Sequence, residues 1–435
     1  MRILEWSTLD PQAQAAALAR PPLSSDPAVL DGARALIAQV RETGDEGVRS
    51  LTRRFDGVDL ERTAVSPAEF AAARALLPPA AHAALERAVA NVRTFHEAQR
   101  PRAVALETEP GVRCEQLVRP LTSVGLYVPA GSAPLPSTAV MLAVPAAVAG
   151  CPARILCTPP RADGGADPAV LVAAQLCGCP TVFKVGGAQA IAALAYGTAA
   201  IPRVAKIFGP GNAYVTAAKQ LVAQDPHGAA CDLPAGPSEV LVIADDSARA
   251  QFVAADLLAQ AEHDVLSQAL LVTPDAALAH AVARELTALR PRLARQDVLG
   301  RSLAHCRALV VADLEAAAAV ANRYAPEHLM LQVREPRRLL AQVESAGAVF
   351  LGGFAPETLG DYCAGPNHVL PTYGHARALS GLTLRDFMKS VSVQEVTPAG
   401  LRALGPTALT LAGLEGLDGH ALAVRLRLDF LGSAA

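Results

Sequence analysis

The stretch 122–157, TSVGLYVPAGSAPLPSTAVMLAVPAAVAGCPARILC, holds two short apolar runs, 124–128 and 154–157, on either side of a long Ala- and Val-rich segment. Runs of four or five apolar residues fit strands buried on both faces, and the segment between them is long enough for the helix that a parallel crossover demands. The same punctuation returns at 182–185 and 205–208, at intervals of about 25 to 30 residues. The runs close on the turns Pro129-Ala-Gly131, Gly186-Gly187 and Gly209-Pro-Gly211-Asn212. A second series follows Ser238, with strands expected at 240–243, 269–272, 308–311, 328–332 and 348–351. Two successive βα series predict an α/β protein with two doubly wound domains.

Working outward, residues 26–100 read as helices. Asp26-Pro27 supplies an N-cap and first-turn proline, Val29, Leu30, Ala33, Leu36, Ile37 and Val40 keep a helical period, and Gly44 stops it. A second long helix is expected over 79–99. After Pro371 the patterns weaken until a helical stretch from Pro398 and a last amphipathic helix over 421–430. A tail of this size buries too little core to stand alone, so it is expected to pack on another domain or another subunit. The division expected is 1–25 as an N-terminal segment, 26–120 as a helical part joined to 236–372 as the second doubly wound domain, 121–235 as the first, and 373–435 as a C-terminal tail.

The 435 residues are 51% hydrophobic, with a net charge of −3, so the charge balance calls for neither nucleic acid nor an anionic membrane. Aromatics make up only 4%, leaving cores of Ala, Val and Leu, the mix of helices packed on parallel strands. The first eleven residues lack the basic and apolar regions of a signal peptide, and the most apolar segment, 137–149, is too short to span a membrane; a cytoplasmic protein is expected. Eight cysteines are scattered without CxxC spacing and read as reduced, mostly buried thiols.

Five places carry chemistry-bearing residues. Gly209-Pro-Gly-Asn212-Ala-Tyr-Val follows a strand and opens a helix, where free N–H groups favour an anion, although Tyr214 stands where the last glycine of G-x-G-x-x-G belongs. Gln260 and His263, near the end of a helix expected over 247–263, lie about 60° apart on one face and could grip a metal, or could form a polar helix end. Glu327-His328 stands at a strand mouth and offers two proton-transfer groups. The loop Gly360-Asp-Tyr-Cys-Ala-Gly-Pro-Asn-His368-Val-Leu-Pro-Thr372 is too rich in metal and acid/base side chains for packing alone. Its Cys363 is either a small packing residue or a nucleophile. Glu415 and His420 in the tail are separated by two glycines, so helix arithmetic does not place them.

Taken in order along the chain, Gly209-Pro-Gly-Asn-Ala-Tyr-Val, Asp232-Leu-Pro-Ala-Gly-Pro-Ser238-Glu, Gln260-Ala-Glu-His263, Ala325-Pro-Glu-His-Leu and Gly360-Asp-Tyr-Cys-Ala-Gly-Pro-Asn-His resemble the histidinol dehydrogenase family. The resemblance implies a zinc enzyme, with one Zn²⁺ per subunit, that oxidises L-histidinol through L-histidinaldehyde to L-histidine with two NAD⁺, the last step of histidine biosynthesis. It implies Gln260, His263, Asp361 and His420 as zinc ligands, Glu327 and His328 as the acid/base pair, and Ser238, His368 and Glu415 as substrate contacts alongside the zinc ligands and His328. Tyr127, Gln189 and Asn212 match positions that meet NAD⁺. The implied fold is two incomplete Rossmann-like domains, N-terminal helices and a small tail, in an intertwined homodimer whose tail, with Glu415 and His420, reaches the partner's site.

Two rivals are distinguishable. A thiol route would have Cys363 attack the aldehyde, as activated cysteines do. A two-lobed binding protein would use zinc only for structure, but structural zinc favours closed, Cys-rich sites, unlike a Gln, His, Asp, His set.

Overall fold

A computed structural model describes residues 1–21, 27–130, 134–234 and 236–433. Asp26, Gly131 and Ala235, named in the motifs above, lie outside the described residues. The strands are β1 (Arg2–Glu5), β2 (Val104–Glu109), β3 (Val112–Pro120), β4 (Ser123–Tyr127), β5 (Ala153–Thr158), β6 (Thr181–Lys184), β7 (Lys206–Phe208) and β8 (Ala230–Cys231). They continue with β9 (Glu239–Ala244), β10 (Gln268–Thr273), β11 (Arg307–Val310), β12 (His328–Gln332), β13 (Ala348–Leu351) and β14 (Met388–Val396). The chain divides into two units, residues 1–99 with 121–387, and residues 100–120 with 388–435.

The first unit holds two parallel sheets. One has the order β6-β5-β4-β7-β8, and the chain reverses direction across the sheet between β4 and β7. The other has the order β1-β11-β10-β9-β12-β13, with the reversal between β9 and β12. All nine central runs expected from the sequence are strands, because each is apolar on both faces and each sheet is covered by helices on both sides. In β9, Val240 and Val242 enter one core with the helix Ala250–Ala261, while Leu241 and Ile243 enter the opposite core with the helix Leu314–Tyr324.

Two parts of the expected division are corrected. The helices between 27 and 97 do not join 236–372. Pro27–Thr43 packs on Gly187–Tyr196 and Ala213–Gln224, Pro67–Leu76 on Pro168–Leu176, and Pro79–Glu97 on Pro136–Ala149, all around the first sheet. Leu36, Ile37, Val40, Val48 and Leu51 share one core with Ile191, Ile207 and Val215. The N-terminal segment instead supplies β1, which pairs with β11 in register Arg2↔Arg307 through Glu5↔Val310 and so belongs to the second sheet.

The second unit is an antiparallel sheet, β14-β3-β2, with the helices Pro398–Leu414 and Asp418–Ser433 packed on each other. Residues 100–120 thus pair with the tail rather than with the helical part. In this unit Leu411, Leu414, Leu417, Leu422, Leu426 and Phe430 are all exposed.

Candidate functional site

The residues assembled here come from the amino ends of the second sheet's strands. His328 opens β12, and its register pairs it with Val240 of β9 and Ala348 of β13. Glu239 opens β9 and lies opposite Gln268, which opens β10. The sequence placed Glu327-His328 at a strand mouth, and ligands in such sheets usually gather outside the carboxyl ends. Here the site is at the opposite edge, where the helices Ala250–Ala261 and Leu314–Tyr324 end. Helix C-termini carry partial negative charge and favour cations.

Asp361 and Glu357 lie one turn apart on the short helix Glu357–Tyr362, so their carboxylates share a face. His328 Nε2 is 3.6 Å from an Asp361 oxygen, and Nδ1 is 3.6 Å from Glu357 and 3.7 Å from Glu327. At these distances the contacts are charge contacts rather than hydrogen bonds. The closest partner of Nδ1 is the carbonyl of Glu239 at 3.2 Å. One ligand atom from each of His328, Glu357 and Asp361 lies within 4.8 Å of the others.

Burial alone would push the His328 imidazole down, but Glu357, Glu327 and Asp361 together hold it well above the ordinary histidine range. Glu327, almost fully buried, is pushed up to about 8 by loss of solvent, against the pull of His328 and of the Glu239 N–H that donates to it at 2.9 Å. Burial likewise raises Glu357. Asp361 resists its own burial and is lowered by His328 and by the nearby His368 and His263. Burial thus raises Glu327 and Glu357 while the histidines lower Asp361, a spread of proton affinities found where protons are moved.

His368 donates or accepts at both ring nitrogens, Nδ1 at 2.7 Å from the Asp361 carbonyl and Nε2 at 3.3 Å from Thr138 Oγ1. Asn367 donates to the Met141 carbonyl at 2.6 Å. The 360–372 loop consequently ties the second sheet to the helix Pro136–Ala149 of the first. Ser238 directly precedes Glu239 and is half-buried.

The helix expected over 247–263 spans only Ala250–Ala261, because Asp245 accepts from the N–H and hydroxyl of Ser247 and makes a turn there. Gln260 is wholly buried, and neither amide atom has a hydrogen-bond partner among the described residues. Such a group calls for an absent ligand. His263 lies just beyond the helix, exposed, with Nδ1 2.9 Å from the Ala259 carbonyl. That contact fixes the ring and frees Nε2, the usual arrangement of a metal-ligating histidine. Gln260 and His263 each keep a donor free and Asp361 supplies a carboxylate, donor types that could hold a divalent cation. Glu415 and His420 belong to the second unit, where both are exposed, with His420 in the first turn of Asp418–Ser433.

Tyr127, Gln189 and Asn212 stand on the first sheet. Tyr127 ends β4, and its hydroxyl accepts from the Gly187 N–H at 3.0 Å. Gln189 is buried in the helix Gly187–Tyr196, which follows β6. Asn212 caps Ala213–Gln224, its Oδ1 accepting from Val215 N–H at 3.1 Å. The ends of β4 and β7 flank the point where the strand order reverses, the place where dinucleotides lie in such sheets.

Gly209, after β7, has φ +122°, and a Cβ there would fall 2.1 Å from the Tyr127 carbonyl oxygen. Its N–H donates to Asp232 at 2.7 Å, its carbonyl accepts from Lys219 Nζ at 2.8 Å, and Lys219 pairs with Asp232 in the interior. Lys219→Met should leave the Asp232 charge buried and alone, at a cost of about 3–5 kcal/mol. Thermal or denaturant unfolding of the variant measures that loss; an unchanged midpoint would show that the pair does not hold the turn.

Two residues of the site escaped the sequence reading. Glu357 lies outside the 360–372 loop, and only its spacing of four from Asp361 could have signalled it. Glu239 adjoins Ser238 and reads as an ordinary strand start. The cysteines at 151, 157, 177, 179, 231 and 306 are free, and burial raises their thiols, which disfavours thiolate chemistry there. Among the described residues no helix is long and apolar enough to cross a membrane.

The histidinol dehydrogenase family model matches residues 19–428. Histidinol dehydrogenase of Xanthomonas oryzae pv. oryzae is 57% identical over 428 residues, covering 98% of this chain and 99% of that one. The Yersinia pestis histidinol dehydrogenase is 48% identical over 432 residues, covering 99% and 97%. The crystal structure of histidinol dehydrogenase from Elizabethkingia anophelis superposes with a TM-score of 0.95 at 40% identity, covering 99% of each chain.

Proposed function

This chain belongs to the histidinol dehydrogenase family, NAD-dependent oxidoreductases of histidine biosynthesis, and from that premise we propose how its residues carry out the oxidation. The reaction is L-histidinol to L-histidinaldehyde to L-histidine, with two NAD⁺ reduced, in the cytoplasm. The observation that carries it is a buried imidazole, His328, ringed by Glu327, Glu357 and Asp361 on the edge of the fold that also holds the orphaned Gln260 amide.

Gln260, His263 and Asp361 would hold one zinc per subunit, with His420 from the tail of a second copy of the chain. Bound zinc supplies a Lewis-acidic anchor for the amino and imidazole nitrogens of the substrate, without redox chemistry of its own. The exposed apolar row of the tail supports a homodimer, since such a row on a soluble chain calls for cover.

The protein's own part is proton management. In the free site Glu357, Glu327 and Asp361 hold the His328 imidazole well above the ordinary histidine range. A cation held by Asp361 would compete for that negative charge and favour His328 as the neutral base. Neutral His328 takes the alcohol proton as hydride leaves the carbinol carbon. Glu327, 3.7 Å from the same ring, takes a proton from the water that adds to the aldehyde, and His328 then serves the hydrate as it served the alcohol. Tyr127, Gln189 and Asn212 would hold the NAD⁺ that takes up the hydride of each oxidation. Ser238, His368 and Glu415 are assigned to substrate, with Glu415 coming from the partner's tail.

His263→Asn and His420→Asn are expected to lose zinc and activity together, to below about a tenth of the parent, by the usual effect of deleting a metal ligand or its support. Metal analysis beside the assay checks this. Full turnover by metal-free protein would overturn the proposed centre.

A further inference from the structure

The dipeptide Glu327-His328 is aimed by a strained turn. Ala325, two residues before Glu327, has φ +53°, a left-handed conformation that a non-glycine residue keeps only when its surroundings impose it. Ala325 is wholly buried, and its N–H closes the preceding helix on Ala321.

The group that meets this turn comes from the far N-terminus. Arg20 donates from Nε and Nη2 to the two carboxylate oxygens of Glu239 at 2.5 and 2.7 Å. The same Nη2 donates to the carbonyls of Tyr324 at 2.8 Å and Ala325 at 3.3 Å. The guanidinium lies 3.9 Å over the Tyr324 ring. The Tyr324 hydroxyl donates to Glu239 at 3.1 Å and lies 2.7 Å from Gln268 Oε1.

Glu239 then passes the arrangement to the reacting groups. Its carboxylate accepts from the Glu327 N–H at 3.3 Å, its own N–H donates to the Glu327 carboxylate at 2.9 Å, and its carbonyl lies 3.2 Å from His328 Nδ1. One buried fork of hydrogen bonds thus fixes both sides of the Ala325 turn and both residues that follow it. Lysine could replace the charge but not the planar fork.

We propose that Arg20, through Glu239 and Tyr324, is a positioning residue that sets the aim of Glu327 and His328, an inference that rests on the reading of those two as the proton-transfer groups. It does not touch substrate. Its loss should lower turnover and leave substrate and metal affinity alone.

The test compares Arg20→Ala, Arg20→Lys and Tyr324→Phe in the full-length, zinc-loaded enzyme, measuring kcat, KM for histidinol, zinc content and thermal midpoint. Expected is a kcat at least tenfold lower for both Arg20 variants, with KM and zinc content within twofold of the parent. Millimolar guanidinium should restore part of the kcat of Arg20→Ala and none of Arg20→Lys. Tyr324→Phe, which removes one hydroxyl and keeps the packing, should show the same kcat-only loss to a smaller degree if Arg20→Ala does not fold. Unchanged kcat in folded Arg20→Ala, or a loss in which KM rises and zinc falls in proportion, would overturn the positioning role. Glu327→Gln and His328→Ala run alongside. If these two keep parental turnover, the underlying reading falls and the inference with it; if they lose turnover while Arg20→Ala keeps it, only the inference falls.

Discussion

His328→Ala should lower kcat by roughly a thousandfold, within the range by which a placed acid/base group accelerates proton transfer, while zinc content stays at the parental level. The imidazole is the one group of the buried cluster in contact with all three carboxylates, and no other described histidine has that position. Glu327→Gln should separate the two oxidations. It keeps the hydrogen-bonding shape but cannot take a proton, so aldehyde oxidation should fall far more than alcohol oxidation. The pH profile gives the sign. A carboxyl pushed up to about 8 is protonated and idle below that pH, so aldehyde turnover should climb as pH rises through 8, and Glu327→Gln should flatten the climb. Rates measured separately with histidinol and histidinaldehyde decide this. Cys363→Ala is the control for the thiol route and should retain aldehyde oxidation; its loss would move the nucleophile to Cys363.

Mixing inactive His328→Ala and inactive His420→Ala subunits, after dissociation and reassociation, should restore activity from nearly nothing to about one quarter of the parent. In a closed two-fold dimer random pairing makes half of the dimers hybrid, and each hybrid carries one site with both residues intact. The expectation follows from the exposed row of Leu411, Leu414, Leu417, Leu422, Leu426 and Phe430, which needs cover, and from placing His420 in the site of a second chain. Activity that stays at the level of the separate variants would mean that each site is completed within one chain.

The central strands were legible because burial on both faces writes an unbroken apolar run, as in Val240-Leu-Val-Ile243, and turns of Gly and Pro punctuate it. Strands β2 and β3 left no such mark. β2 is exposed along its length, and with Glu107, Glu109, Arg113 and Glu115 its hairpin reads as loop. The packing partner of 27–97 was equally hidden, since an apolar helix face states that it is buried but not against which sheet. Within the site, Glu327 and His328 stood out at the mouth of an apolar strand, and Asp361 and His368 in a loop crowded with metal and acid/base side chains. Glu239, Arg20 and Glu357 did not, because their roles exist only through contacts across 219 residues or one helical turn. The edge of the sheet on which the site lies is likewise a property of the folded chain, since His328 reads as a strand residue from either end.

The most direct measurement is the number of NADH formed per L-histidinol consumed, with zinc-loaded enzyme, limiting histidinol and excess NAD⁺. Two NADH per histidinol, with histidine as the product, are expected of a site whose Glu327 and His328 serve both oxidations. One NADH, with the aldehyde accumulating, would contradict it.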